Sequence, residues 1–291
     1  MITIRLNGGL GNQMFQYAMG RALAFKYNKK LLLDIDEFDT YELRDFELNK
    51  YNIKAEIFTR KDNSNLKVVN PKSFLVKLFK KFNFTNLIPN YYLEKSLKYD
   101  ENIVVKDKLY LEGYFQNEKH FAFIRDELLK DFTIKQELSD STKEIKTIIE
   151  SSQNSVALHI RRGDYVANSH TNNVHGTCSL DYYDEAIEYL KSKVDNIKIF
   201  VFSDDIKWVK ENLKYENIYF VEDDKKRIAH EDIYLMSLCH HNIIANSSFS
   251  WWGAWLNINS QKIVIGPKNW FADEKMQEQS QDIVCENWER I

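Results

Sequence analysis

The sequence predicts an α/β protein of two domains, with parallel sheets covered on both faces by helices. Two observations carry this. The chain opens as strand, glycine turn, amphipathic helix and strand, which is a βαβ unit. Its second half alternates short apolar runs with helical stretches, and strands separated by helices pair in parallel. A length of 291 residues suits two domains of ordinary size, each with its own core.

Ile2, Ile4 and Leu6 alternate in the first strand. Gly8-Gly9-Leu10-Gly11 then turns the chain into a helix over 12–27, with Met14, Phe15, Ala18, Ala22 and Phe25 at helical spacing. Leu31-Leu32-Leu33 forms the next strand and ends in Asp34. Residues 37–100 carry aromatic and lysine clusters such as Phe79-Lys80-Lys81-Phe82, between turn signals at Asn70-Pro71 and Pro89-Asn90. They read as an amphipathic helix pair covering the sheet, with a membrane-surface contact as the alternative. Leu109-Tyr110-Leu111 is a further strand, followed by Gly113-Tyr114-Phe115-Gln116-Asn117. A polar stretch at 136–154 reads as a helix leading out of the first domain, which places the domains at 1–150 and 151–291.

In the second half, strands are expected at 156–160, 197–202, 218–221, 243–245 and 263–265. Helices fall between them at 180–194, 206–213, 231–240 and 249–256. Three polar groups follow strand ends: Arg161, Arg162 and Asp164, then Ser203-Asp204-Asp205, then Asn246-Ser247-Ser248. Ligands of open α/β sheets bind at those carboxyl ends, so one crevice collects all three groups.

Each motif has a bland reading beside the chemical one. Paired arginines behind the buried run Val156-Ala157-Leu158 bridge local carboxylates or read an anion, and a planar guanidinium fork matches phosphate oxygens. Their place at a strand end favours the anion. Gly9 and Gly11 begin a dinucleotide fingerprint, with Asp34 where a ribose-binding acid often stands, but Met14 occupies the third glycine's place; a structural tight turn fits equally. Asp34-Ile35-Asp36 spells a metal-binding D-x-D, or a loop that turns the chain. Ser247 and Ser248 cap a helix, and the N–H groups they leave suit an anion. The tryptophans of Trp251-Trp252-Gly253-Ala254-Trp255 read as core. Asp204-Asp205 are helix caps or acceptors for a base or sugar. Asp232 is a first-turn helix carboxylate or a partner for a guanine edge. His240-His241 reads as the surface end of a helix.

Forty basic against forty-three acidic residues give a net charge of −3, which excludes bulk nucleic-acid binding. The three cysteines, Cys178, Cys239 and Cys285, contain no C-x-x-C pair, so neither a disulfide framework nor a cysteine zinc site is expected. No signal peptide is read at the start, and no apolar run reaches the roughly 20 residues of a membrane helix. A cytoplasmic protein without a transmembrane segment is expected.

The set Gly9-x-Gly11-Asn12-Gln13, His159-x-Arg161-Arg162-x-Asp164-Tyr165, Ser203-Asp204-Asp205 and Asn246-Ser247-Ser248-Phe249-Ser250-Trp251-Trp252 resembles the α-1,2-fucosyltransferases of glycosyltransferase family 11. The resemblance covers most of the chain, residues 37–100 least. It implies a GT-B architecture, two Rossmann-like doubly wound domains facing a central cleft. The first would be the acceptor side and the second the donor side, with the last helix a candidate to cross back. It further implies an inverting mechanism without metal or other cofactor, with GDP-β-L-fucose as co-substrate. The partner would be a galactose-terminated oligosaccharide or lipid-linked glycan, the latter compatible with peripheral contact at the inner membrane face. By the same resemblance Arg161 would contact the diphosphate, Asp232 would read guanine, and Ser247 and Ser248 would hold phosphate. His159, Arg162, Asp164 and Asp205 would line the donor site, and Gly11, Asn12 and Gln13 would lie on the acceptor side.

Cleaving fucose from GDP puts charge on the β-phosphate as the sugar gains oxocarbenium character, and fixed cationic donors stabilise that charge. The acceptor hydroxyl must lose a proton. Asp164 is the candidate base, or it orients Arg162, or the leaving diphosphate takes the proton. The competing readings are an NAD(P)-dependent oxidoreductase on the glycine turn, a non-catalytic glycan- or nucleotide-binding module, and a fucosyltransferase of another linkage.

Overall fold

Strand β1 (Ile2–Arg5) lies at the centre of a five-stranded parallel sheet, with Ile2 and Ile4 fully buried on one face and Thr3 buried on the other. The computed structural model describes residues 1–39, 44–61, 68–162, 174, 176–222 and 228–291. It divides into two units, Met1–Lys135 and Gln136–Ile291.

In the first unit, α1 (Leu10–Lys26) leads to β2 (Leu31–Asp34), followed by β3 (Glu56–Phe58), α2 (Phe74–Lys81), β4 (Tyr91–Leu93), β5 (Leu109–Glu112) and α3 (Arg125–Asp131). The strand order is β3-β2-β1-β5-β4, every pair parallel. Helix α1 is buried almost all round, the signature of a helix packed inside a unit. It lies close on the sheet at Gly20, where a Cβ would come within 2.8 Å of Leu31. Residues 37–100 differ from the expected helix pair: α2 is flanked by the edge strands β3 and β4. Three residues per strand are too few for alternation to show in the sequence.

The second unit runs α4 (Asp140–Glu150), β6 (Asn154–Ile160), α5 (Leu180–Lys191), β7 (Ile197–Ser203), α6 (Ile206–Asn212), β8 (Ile218–Phe220), α7 (Ala229–Leu238), β9 (His241–Ile243), α8 (Ser248–Leu256), β10 (Val264–Gly266), α9 (Glu274–Gln279) and β11 (Glu289–Arg290). Its parallel order is β11-β10-β9-β6-β7-β8. The chain therefore ends as a strand of this sheet. Helix α4 belongs here because the buried Glu231 of α7 clamps its start, accepting from Ser139 N at 2.7 Å, Ser139 Oγ at 2.8 Å and Thr142 Oγ1 at 2.9 Å. One face of the sheet packs Leu158, Ile160, Val201 and Ile243 against Tyr183, Ile187 and Leu190 of α5.

The tryptophans are core, as their spacing suggests. Trp251 and Trp252 are fully buried, edge to face at 5.0 Å, and Trp251 Nε1 donates to Ile283 O at 2.7 Å. The paired histidines are not a surface end. His241 is a buried β9 residue whose Nδ1 accepts from Ile263 N at 3.0 Å, and His240 Nδ1 lies 2.9 Å from Ser155 Oγ. Both staple neighbouring strands, a role that two adjacent imidazoles do not announce in sequence.

Candidate active site

Strand order fixes where each unit offers a crevice. In the second unit the chain moves from β6 outward to β7 and β8, then returns to the other side of β6 with β9. The order reverses between β6 and β9, and at such a switch point the following loops diverge and leave a crevice. His159, Arg161 and Arg162 stand at the end of β6, Asp204 and Asp205 after β7, and Ser247 and Ser248 after β9. Six predicted donor-site residues thus share one sheet edge.

Charge at this edge is prearranged. Arg161 Nε lies 3.2 Å from Asp204 Oδ2, and Arg162 Nε lies 3.6 Å from Asp205 Oδ2. The Arg162 amide donates to Asp204 Oδ1 at 2.9 Å, and its guanidinium carbon sits 3.5 Å above the Trp208 ring. A cation held against an aromatic face loses rotamer freedom and keeps its charge. Asp205 is also the N-cap of α6, accepting from Trp208 N at 3.2 Å. The capping alternative for Asp205 is therefore realised in the fold, together with an arginine contact. Sequence reasoning missed Trp208; its place three residues after a capping aspartate was the available signal.

His159 is 4% exposed and packs against Phe249 of α8, ring centres 5.7 Å apart. Burial, and then the charge of Arg161, hold its pKa far below the ordinary imidazole value. A neutral ring at this position competes with no cation for an anion. Ser247 caps α8, its Oγ accepting from Phe249 N at 3.3 Å, and Ser248 opens the helix. The segment is pinned by Asn246, which donates to Gly176 O and Trp270 O, each at 3.1 Å. Asp232 is half-buried in the first turn of α7, the helix that follows β8. Asp164 lies outside the described residues.

The first unit has its own switch point, between β1 and β5. Here the loops carry amides. Gln116 Nε2 donates to Asn12 Oδ1 at 2.8 Å, while Gln16 Nε2 donates to Asn7 Oδ1 at 2.6 Å and Gly113 O at 3.1 Å. Gly8 makes the turn at φ +75, and a Cβ there would meet Asn12 Nδ2 at 2.8 Å, so both conformation and space call for glycine. Phe115 takes φ +54, an uncommon state for a bulky residue, with its amide and that of Tyr114 held by the Glu94 carboxylate at 2.9 and 2.6 Å. Burial raises the Glu94 pKa against those two hydrogen bonds. Asn117 is fully buried and caps the next turn through Lys119 N at 3.0 Å. Glu94 had no sequence signal.

Two expectations are revised by these contacts. Gln13 is fully buried and points inward: it donates to Gly8 O at 3.0 Å and Asp45 O at 2.8 Å and accepts from Glu47 N at 3.0 Å. Its polar atoms are spent on holding the loop at 45–47, and Gly11 beside it is buried in α1. Asp34 is 2% exposed, accepting from Arg60 Nη2 at 2.7 Å and Tyr110 OH at 2.5 Å. Asp36 pairs with Arg60 Nε at 3.4 Å. Arg60 therefore engages both carboxylates of the D-x-D, and Asp34 is withdrawn from the ribose role of the oxidoreductase reading.

Comparison with known proteins agrees with this picture. The fold is similar to crystal structures of the fucosyltransferase NodZ from Bradyrhizobium (TM-score 0.51, 12% identity, 87% of this chain and 92% of that one) and of NodZ co-crystallised with GDP (TM-score 0.51, 13%, 87% and 91%). The two α/β units are thus those of a GT-B-like protein. Among sequences, an alpha-1,2-colitosyltransferase of Escherichia coli is 39% identical over 100% of this chain and 99% of its own. The O-antigen biosynthesis glycosyltransferase WbnK of Escherichia coli is 37% identical over 92% and 94%. A galactoside 2-alpha-L-fucosyltransferase of Bos taurus is 23% identical over 88% of this chain and 64% of its own. Residues 1–291 match the profile described as Glycosyl transferase family 11. With that match spanning every element described above, the chain belongs to glycosyl transferase family 11.

Proposed function

We propose that this glycosyltransferase moves L-fucose from GDP-β-L-fucose to the 2-hydroxyl of a galactose-terminated glycan, with inversion and without a metal ion. The observation that carries the reading is the β6/β9 switch point, where Arg161 and Arg162, held by Asp204 and Asp205, follow β6 and the α8 N-terminus follows β9. In the reaction, acceptor O2 attacks the anomeric carbon as the bond to the β-phosphate breaks. Arg161 and the first-turn N–H groups of α8 stabilise the charge that develops on the diphosphate, and Ser247 and Ser248 orient it. Asp232 takes the guanine edge, and Asn12 orients the sugar hydroxyls.

Arg162 already has Asp205 beside it and Trp208 beneath it, so it needs no further carboxylate for orientation. That favours the other role considered for Asp164, the base that takes the acceptor proton, with the leaving diphosphate as the alternative proton acceptor. A lipid-linked acceptor would bring the enzyme to the inner face of a membrane. Among the described residues, no helix is long and apolar enough to cross one.

The linkage has broader support than the donor sugar. The names of the colitosyl and fucosyl relatives disagree on the sugar and agree on the 2-position. The second reading is therefore transfer of colitose, which is fucose without its 3-hydroxyl, favoured by the 39% identity to the colitosyltransferase. The deciding experiment offers GDP-fucose and GDP-colitose with lactose and N-acetyllactosamine in excess EDTA, and reads the product linkage by NMR. Fucose α-1,2-linked to galactose is expected. A preference for GDP-colitose selects the second reading, another linkage refutes both, and turnover that EDTA abolishes and manganese restores refutes the metal-free scheme.

A further inference from the structure

Helix α2 reverses the usual rule for a surface helix, whose apolar stripe faces the core. Its inward side holds the buried Val76 and Lys80, whose Nζ lies 2.8 Å from Glu112 Oε1. Its outward side carries Phe74, Leu75, Leu78 and Phe82, exposed by 78%, 64%, 39% and 56%, and the chain just beyond adds the exposed Phe84 and Leu87. At about 100° per residue, Phe74, Leu75, Leu78 and the C-capping Phe82 share one side, and Lys77 and Lys81 border it. A polar tether thus fastens the helix while its apolar face points away. Contiguous exposed apolar surface of this kind marks an interaction site.

We propose that α2 and the turn after it dock on an anionic phospholipid bilayer, the apolar side entering the headgroup boundary and Lys77 and Lys81 meeting lipid phosphates. Charge selects this occupant. Residues 71–90 hold four lysines and no aspartate or glutamate, in a chain whose net charge is −3. Against a second copy, a two-fold contact would set Lys77 and Lys81 of one patch beside their equivalents, an arrangement that repels. An anionic bilayer neutralises the same lysines and buries the same aromatic rings. The surface follows from geometry; only its use, carrying the enzyme to a lipid-linked acceptor, rests on the proposed function.

The test is sedimentation of the full-length protein with vesicles of phosphatidylcholine alone and of phosphatidylcholine mixed with phosphatidylglycerol. The protein is expected to pellet with the mixed vesicles and to stay in solution with the neutral ones. A Phe74→Ser/Leu78→Ser/Phe82→Ser variant should lose the binding, and Lys77→Glu/Lys81→Glu should weaken it by about tenfold or more. Circular dichroism melts check that both variants fold, as expected for changes at exposed side chains. Equal pelleting of wild type and triple variant overturns the proposal, as does failure of the wild type to bind mixed vesicles. A concentration-dependent dimer that the triple variant dissolves overturns it in favour of self-association. Sedimentation needs no turnover, so its outcome is independent of which sugar is transferred.

Discussion

At the β6/β9 switch point the segments after the strands carry Arg161, Arg162, Asp204 and Asp205, whereas at the β1/β5 switch point helix α1 and the loop after β5 carry Asn12, Gln16, Gln116 and Asn117. The two sheets differ in topology, β5 rather than β4 standing beside β1 in the first, yet each reverses its strand order beside a central strand, so the backbone supplies a crevice in both units. Side chains separate the chemistry of the two. The second unit spends carboxylates on holding guanidinium groups, which suits a polyanion whose charge grows during reaction. The first unit spends amides on holding amides, which suits a neutral ligand rich in hydroxyls. Pre-organisation is common to both, and its currency differs.

The largest test of this contrast is Arg161→Ala. If the charged crevice acts on the leaving diphosphate, transfer falls by about 10²- to 10³-fold in kcat, the loss typical of one donor aimed at a developing charge. Acceptor KM should hardly move. A variant with unchanged kcat and only a raised donor KM would show that Arg161 binds the ground state and transition state alike, and the electrostatic scheme would fail.

Next in size is a pH effect that both units share. His159 beside the arginines and His120 in the first unit are buried, and burial is the leading cause of their depressed pKa values, His120 down to about 4. Each is neutral when folded and ordinary when unfolded. The unfolded chain therefore binds more protons below about pH 6.5, and stability present above that value is lost as the pH falls toward the folded pKa. Between pH 7 and pH 5 each histidine should account for about 2 kcal/mol of lost stability. Urea unfolding of His159→Gln and His120→Gln at the two pH values measures it. A loss in the variants as large as that of the wild type would show that other groups carry the acid sensitivity.

The charged crevice was far more legible in the sequence than the neutral one, and the reason is physical. A seven-residue strand such as β6 or β7 displays its periodicity, and arginines at its end have few uses in a fold other than meeting anions or carboxylates. The α/β class and the order of elements in the second unit followed from that alternation. The amide crevice was only partly visible: Asn12 stood out through its glycines, while Gln116 makes sense only when β5 pairs beside β1, a contact 104 residues apart in sequence. Gln13 looked like its neighbour and proved to be a buried clamp, because a glutamine at a helix start is silent about which way it points. Strands β3 and β4 were illegible at three residues each, and the outward face of α2 read as a face covering the sheet. Glu94 and Glu231, each holding two or more hydrogen bonds, carry no local pattern at all.

The smallest effect is the one that tests the neutral crevice directly. Asn12 accepts from Gln116 at 2.8 Å, so its amide nitrogen is directed by that bond, and Asn12→Ala removes both the group and its support. One neutral hydrogen bond to a sugar hydroxyl corresponds to about tenfold in acceptor KM, with donor KM and the EDTA response unchanged. Gln116→Ala should give a similar shift, and the double variant should add little to either, because two residues joined by one bond act as a unit. Steady-state kinetics with lactose at saturating donor measures all three. If the single variants instead raise donor KM, the amide crevice serves the same ligand as the arginines, and the division of labour between the two switch points is wrong. If the effects add in full, the pair is structural scaffolding and the acceptor is held elsewhere, by residues whose side chains the Asn12–Gln116 bond does not position.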